Sequence, residues 1–243
     1  MNLLKKLFRR TPERTRHYCA ALIAAAGSST RYGGENKLLQ ELGGMPVLAR
    51  TLLAVDRAES IDEIVIAARE DELLPYAQLC KTFDLQKPVK VVLGGATRTE
   101  SVLRAACEAS PEAVFLAVQD GARPLVTSAL IDEVVLAAQQ YHAAAPAIPV
   151  TDTVKVAVNG VVESTPERSK LFAVQTPQVF DAELLKAALQ DALRANAALT
   201  DDCSAVERFG KEVHLTEGNA ENIKITRPLD LIVAEAILQS RGE

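Results

Sequence analysis

Three stretches of this sequence combine small residues with charge in a way that suits phosphate chemistry. The first, Ala24-Ala25-Ala26-Gly27-Ser28-Ser29-Thr30-Arg31-Tyr32-Gly33-Gly34, follows an apolar run and precedes Lys37. Small residues let a backbone approach a nucleotide closely, and free N–H groups in such a loop bind phosphate oxygens. The spacing is neither GxxxxGKS/T nor GxGxxG, which removes support for a P-loop ATPase and for a dinucleotide-dependent dehydrogenase. Arg31 and Lys37 add two charges able to stabilise a phosphorane-like transition state. A plain tight turn is the other reading of these glycines.

The second stretch, Gly94-Gly95-Ala96-Thr97-Arg98-Thr99-Glu100-Ser101, closes an apolar run and opens a helical pattern. Its amides and the Ser101 hydroxyl could read the edge of a base, or the segment could simply be a helix N-cap at Thr97 or Thr99. The third, Gln119-Asp120-Gly121-Ala122-Arg123-Pro124, sets a carboxylate and a guanidinium three residues apart. Asp120 could bind Mg2+ or a substrate hydroxyl and Arg123 could clamp a phosphate, against the plainer reading of a local ion pair in a turn.

Other chemistries find little material. His17, His142 and His214 are scattered, and Cys19, Cys80, Cys107 and Cys203 form no CxxC pair, so neither a triad, a zinc site nor a disulfide framework is expected. Any metal is expected to arrive with the substrate. Lys5, Lys6, Arg9, Arg10, Arg14 and Arg16 face Glu13 alone in residues 1–17, so the remainder is more acidic than the whole chain at −5. An acidic body argues against general nucleic-acid binding. No stretch approaches the roughly 18 uninterrupted apolar residues of a membrane span, and the start does not read as a secretory signal, so a cytoplasmic protein is expected.

These residues need a scaffold, and the 243-residue chain, 48% hydrophobic, has material for one α/β domain. Apolar runs at Ala20–Ala25, Ile61–Ala67, Val89–Leu93, Val114–Val118 and Ala144–Val150 read as strands. Helical patterns cover Pro46–Ala58, Glu72–Phe83, Thr99–Ala109, Ser128–Tyr141, Ala182–Ala195 and Leu229–Gln239. Strands apolar throughout and separated by helices imply a mainly parallel sheet covered on both faces, with ligands beyond the strands' carboxyl ends. Residues 18–243 are thus expected to form the functional domain. Residues 1–17 form a basic tail, either frayed or, through its Leu3, Leu4, Leu7 and Phe8 face, able to touch a membrane surface or partner.

One stretch breaks the alternation. Two alternating runs, Asp152–Val158 and Val161–Ser164, flank Asn159-Gly160, a strong hairpin signal. The hairpin either lies on the edge of its own sheet or projects as an arm spanning about residues 151–176.

AAAGSSTRYGGENK, GGATRTESV, QDGARP, VTDTVK, QTPQVF, LTDDCSAVE and ENIKITRPLDL occur in the order and at roughly the spacing of the methylerythritol phosphate cytidylyltransferase family, which the chain resembles over residues 19 to about 240. The resemblance implies a Rossmann-like nucleotidyltransferase core, CTP with Mg2+, a polyol phosphate acceptor and a homodimer that exchanges its β-hairpin arms. It places catalytic roles on Arg31, Lys37, Arg168 and Lys224, with Arg168 supplied by the partner's arm. Nucleotide binding falls on Ala25, Ala26, Gly27, Ser28, Gly95, Arg98 and Ser101. Acceptor binding falls on Asp120, Arg123, Thr153, Thr176 and Thr200. Three departures stand out: Ala96 where the family often has aspartate, Asn36 where proline usually precedes the catalytic lysine, and Gly121 where alanine is common.

Such a transfer needs no general base, because the attacking phosphate oxygen is already ionised at neutral pH. A rival reading is a ribitol 5-phosphate cytidylyltransferase, although Ala122-Arg123-Pro124 and Arg227 look more like the methylerythritol branch. A nucleotide-sensing protein without activity would be expected to lack one of the four cations.

Overall fold

The computed structural model describes residues 16–27, 32 and 36–242. The basic stretch therefore lies outside the described residues except for Arg16, which pairs with Asp62 at 2.5 Å, and His17, whose ring meets Phe115 edge-on. Ser28 and Arg31 also lie outside them.

Strands β1 (Cys19–Ala24), β4 (Glu63–Ala68), β5 (Val89–Leu93) and β6 (Phe115–Asp120) form a parallel block in the order β5-β4-β1-β6. Strand β1 is central, and its residues alternate between two cores as strand geometry requires. Cys19, Ala21 and Ile23 pack towards one helical layer; Ala20 and Leu22 pack towards the other. The first layer comprises α1 (Val47–Arg57), α2 (Leu73–Thr82), α4 (Ser128–Tyr141) and α7 (Pro228–Arg241). The second comprises α3 (Arg98–Glu108), α5 (Ala182–Arg194) and α6 (Asp202–Arg208). Burial on both faces is why these strands read as unbroken apolar runs.

The other half of the sheet is mixed. Beyond β6 lies β11 (Gln178–Asp181), antiparallel to both β6 and β7 (Ala143–Pro149). Strand β7 also pairs with β10 (Phe172–Val174) antiparallel and β12 (His214–Glu217) in parallel. A small hairpin, β2 (Glu41–Leu42) with β3 (Met45–Pro46), precedes α1.

The Asn159-Gly160 signal produces a hairpin of β8 (Val156–Val158) and β9 (Val161–Ser164). Asn159 and Gly160 have φ of 50° and 81°, the two positive values that a type I′ turn demands. Its strands form a sheet of their own, exposed along their whole length, so the hairpin does not lie on the edge of the central sheet. The chain is back in that sheet by Phe172.

Candidate active site

The carboxyl ends of the parallel strands open into a cavity of about 390 Å³, lined by the Ala24–Gly27 turn, Lys37, the Gly95–Arg98 loop, Asp120 and Lys224. Each wall has a local cause. The loops after β1 and β5 approach so closely that a Cβ on Gly94 would sit 2.7 Å from the Ala26 Cβ. Thr97 is an N-cap, its hydroxyl accepting from Glu100 N at 3.1 Å, and the Glu100 carboxylate accepts in turn from Ala96 N at 2.8 Å. Ser101 is buried and spends its hydroxyl on its own loop, accepting from Gly95 N at 2.9 Å and donating to Thr97 O at 2.8 Å. The N-cap reading of this stretch therefore holds at Thr97, and the same loop lines the cavity.

Asp120 ends β6 and is nearly buried. Three cations surround its carboxylate: Lys224 Nζ at 2.8 Å, Arg123 Nε at 3.5 Å and Arg98 Nη2 at 3.7 Å. Burial pushes this carboxyl up, but Lys224, Arg98 and Arg123 together more than reverse it, holding it below the usual carboxylate range. Arg98 also meets Asp202, whose Oδ2 lies 2.7 Å from Nη1. Burial pushes the Asp202 carboxyl up, and Arg98 offsets only part of that. Among the described residues that line the cavity, Lys37, Lys224 and Arg98 stand against the single carboxylate of Asp120, an excess of positive charge suited to an anionic ligand.

Lys224 reaches Asp120 because the 222–226 segment is docked: Ile225 N donates to Ala122 O at 2.8 Å, and Asp230 accepts from Thr226 N and Arg227 N at the start of α7. Lys37 Nζ donates to Ile225 O at 2.7 Å. The backbone next to Lys37 is held by Asn36, whose amide donates to Glu72 Oε1 at 2.7 Å and Tyr76 OH at 3.1 Å and accepts from Leu38 N at 3.0 Å. Asn36 thus supplies by hydrogen bonds a restraint that proline would supply by its ring.

Other expected contacts fall behind the cavity wall. The Thr176 hydroxyl is buried and accepts from Asp120 N at 3.1 Å, beside a cis Thr176–Pro177 bond. Arg123 Nη1 donates to Asn222 O at 2.5 Å, and the fully buried Asn222 amide donates to Thr176 O at 3.0 Å. Both side chains support Asp120 and do not line the cavity. Thr153 and Arg168 lie on the exposed arm, with Arg168 Nη1 donating to Thr151 O, and Thr200 precedes α6; none lines the cavity of its own chain. Asp120 is also a poor metal ligand here, because a divalent ion would meet the three cations already at its oxygens. Among the described residues, no three His, Cys, Asp or Glu side chains gather as a metal site. Sequence reading missed Asp202 and Asn222 as parts of this arrangement, and met Asn36 only as a departure from the family pattern before Lys37.

A family model described as 2-C-methyl-D-erythritol 4-phosphate cytidylyltransferase matches residues 19–240. Curated relatives of that description include one from Synechococcus sp. (strain JA-3-3Ab), 44% identical and covering 91% of this chain and 97% of its own. Another, from Bacillus thuringiensis (strain Al Hakam), is 42% identical over 89% of this chain and 96% of its own. The solved 4-diphosphocytidyl-2C-methyl-D-erythritol synthase from Anaerococcus prevotii DSM 20548 superposes with a TM-score of 0.82, at 31% identity over 92% of this chain and 99% of that one. With its whole α/β body matched in sequence and in fold, the chain belongs to the 2-C-methyl-D-erythritol 4-phosphate cytidylyltransferase family.

Proposed function

We propose that Lys37, Arg31, Lys224 and the partner's Arg168 divide the charge compensation of the cytidylyl transfer that defines this family. The reaction joins CMP from CTP to 2-C-methyl-D-erythritol 4-phosphate, giving 4-diphosphocytidyl-2-C-methyl-D-erythritol and pyrophosphate in isoprenoid precursor synthesis. A phosphate oxygen of the acceptor attacks the α-phosphorus, so two anions must be brought together and the developing charge neutralised.

The observation that carries the reading is the convergence of Lys37, Lys224 and Arg98 on one cavity beside two backbone loops without bulky side chains. The cytidine and triphosphate lie along Ala25, Ala26, Gly27 and Ser28 and against Gly95, Arg98 and Ser101. Lys37 and Arg31 act on the triphosphate, and Lys224 receives the acceptor phosphate. Asp120, supported from behind by Arg123 and Thr176, takes an acceptor hydroxyl. Mg2+ enters as part of the CTP substrate, screening its phosphates.

Thr153, Thr200 and Arg168 complete the acceptor side, Arg168 across a homodimer formed through the arm. The exposure of Val154, Val156, Val158, Val161 and Val162 supports this, since a two-stranded ribbon with that much apolar surface is marginal alone. Residues 18–243 act as the catalytic domain with this arm as its insertion, and a cytoplasmic location follows from the use of CTP. None of the described helices is long and apolar enough to cross a membrane. The test is to incubate the protein with CTP, Mg2+ and either 2-C-methyl-D-erythritol 4-phosphate or ribitol 5-phosphate and to weigh the product by mass spectrometry. Product from the first acceptor is expected; product from ribitol 5-phosphate alone would overturn the acceptor assignment.

A further inference from the structure

Asp202 carries no evident role in the sequence, where only its neighbour Thr200 matches an acceptor position, yet it is 1% exposed and touches Arg98 at 2.7 Å. Its backbone is hydrogen-bonded in place. Asp202 N and Cys203 N both donate to Gln178 Oε1, at 3.0 and 3.1 Å, while Gln178 Nε2 donates to Asp201 Oδ2 at 2.8 Å. Gln178 opens β11, the direct neighbour of the strand that ends in Asp120. The backbone that carries Asp202 and the strand that ends in Asp120 are thus tied into one frame, with Asp202 Oδ2 nearest Arg98 Nη1 and Asp120 Oδ1 nearest Nη2.

The guanidinium is only 3.7 Å from Asp120, a far looser contact than it makes with Asp202. A planar group held at one nitrogen by an ion pair at 2.7 Å is restricted in the direction its other donors take. Burying an ion pair is by itself a weak source of stability, so packing alone is a poor account of a carboxylate this deep. We propose that Asp202 is a positioning residue for cytidylyl transfer: by holding one edge of Arg98 it keeps the guanidinium turned to the cavity and off Asp120. The proposal rests on the reading of Arg98 as a contact for CTP. With a neutral residue at position 202, Asp120 and the more distant Asp201 are the described carboxylates left to act on Arg98, and Asp120 is the one within 4 Å. The fork then closes on it, competes with Lys224 and leaves the triphosphate.

The experiment is a double-mutant cycle on kcat and KM for CTP with Arg98→Ala, Asp202→Asn and the double variant. Each single change is expected to raise KM for CTP about tenfold, the size of one charge-assisted hydrogen bond. The double variant is expected to be no worse than Arg98→Ala, because Asp202 acts only through that arginine. Asp202→Glu, which keeps the carboxylate, should recover part of the loss and gives the same cycle if Asp202→Asn folds poorly. Losses that multiply in the double variant, or a normal KM in Asp202→Asn, would overturn the positioning role. A normal KM in Arg98→Ala would instead overturn the assignment of Arg98 to CTP.

Discussion

The Lys37 ammonium donates to the Ile225 carbonyl at 2.7 Å, joining the loop after the first strand to the segment that leads into the last helix. The residue before Ile225 is Lys224, 2.8 Å from Asp120. One short piece of backbone thus sets the spacing between the cation assigned to CTP and the cation assigned to the acceptor. Replacing Lys37 with alanine is expected to lower kcat by about a hundredfold or more, as when one preorganised transition-state donor is lost. Steady-state kinetics with circular dichroism as a fold check decides it, and near-normal kcat would refute the assignment.

Asn36 makes a second, independent prediction about the same loop. Its amide satisfies Glu72 and Tyr76, both buried, while its oxygen restrains the backbone beyond Lys37. Asn36→Ala should cost about 1 kcal/mol of stability through the partners it strands, and should lower kcat as well by loosening Lys37. Denaturant titration and kinetics are read together. A variant that loses stability but keeps kcat would show that Asn36 does not set the pose of Lys37.

The arm makes a prediction about assembly. Arg168→Ala and Lys37→Ala chains, each weak alone, should recover activity when their subunits are exchanged. Random pairing makes about half the dimers mixed, each with one intact site, so about a quarter of wild-type activity is expected. A monomer in analytical ultracentrifugation, or no recovery after verified exchange, would place Arg168 in its own chain's chemistry or outside it.

Asp120 makes a prediction in pH. Its folded pKa is depressed below the ordinary 3.8, so its ionised form is favoured by folding. That contribution is complete above the unfolded value and is lost as pH falls through it towards the lower folded value. The stability gap between the wild type and Asp120→Asn should therefore stay flat from about pH 8 to 5 and narrow below about pH 4. Asp202, whose shift is opposite, is raised in part by the Asp120 charge, so the same pair is also compared in an Asp202→Asn background, where that second titration is absent. A gap that widens on acidification would contradict this reading.

Much of the scaffold was legible because it rests on long patterns. Helix α4 and strand β5 fall at their expected bounds, and the I′ turn follows from Asn-Gly alone. What escaped was short or non-local. Strand β11 has four residues directly behind Pro177, α6 only seven, and β12 reads His-Leu-Thr-Glu with no sustained period. Helix α6 did carry a local signal: Asp201 and Ser204 form a reciprocal cap three residues apart. In the site, glycines and cations announced themselves by type. Asp202, Asn222 and Gln178 are ordinary polar residues until the fold buries them against Arg98, Arg123 and the head of α6. Arg123 and Thr176, expected to touch the acceptor, also brace Asp120, a contact that depends on which side of one carboxylate they occupy.

The antiparallel insertion of β11 also bears on how the chain is made. The four parallel strands are complete at residue 120, but β6 waits for its outer neighbour until residues 178–181 have been synthesised. At about 5–20 residues per second, that interval lasts several seconds. Throughout it, the nascent domain presents an apolar edge strand with unpaired amides and carbonyls, a template for pairing with other chains. Fragments ending between Pro124 and Thr176 should be prone to aggregation, and the full-length chain should depend most on chaperones in this window of its synthesis.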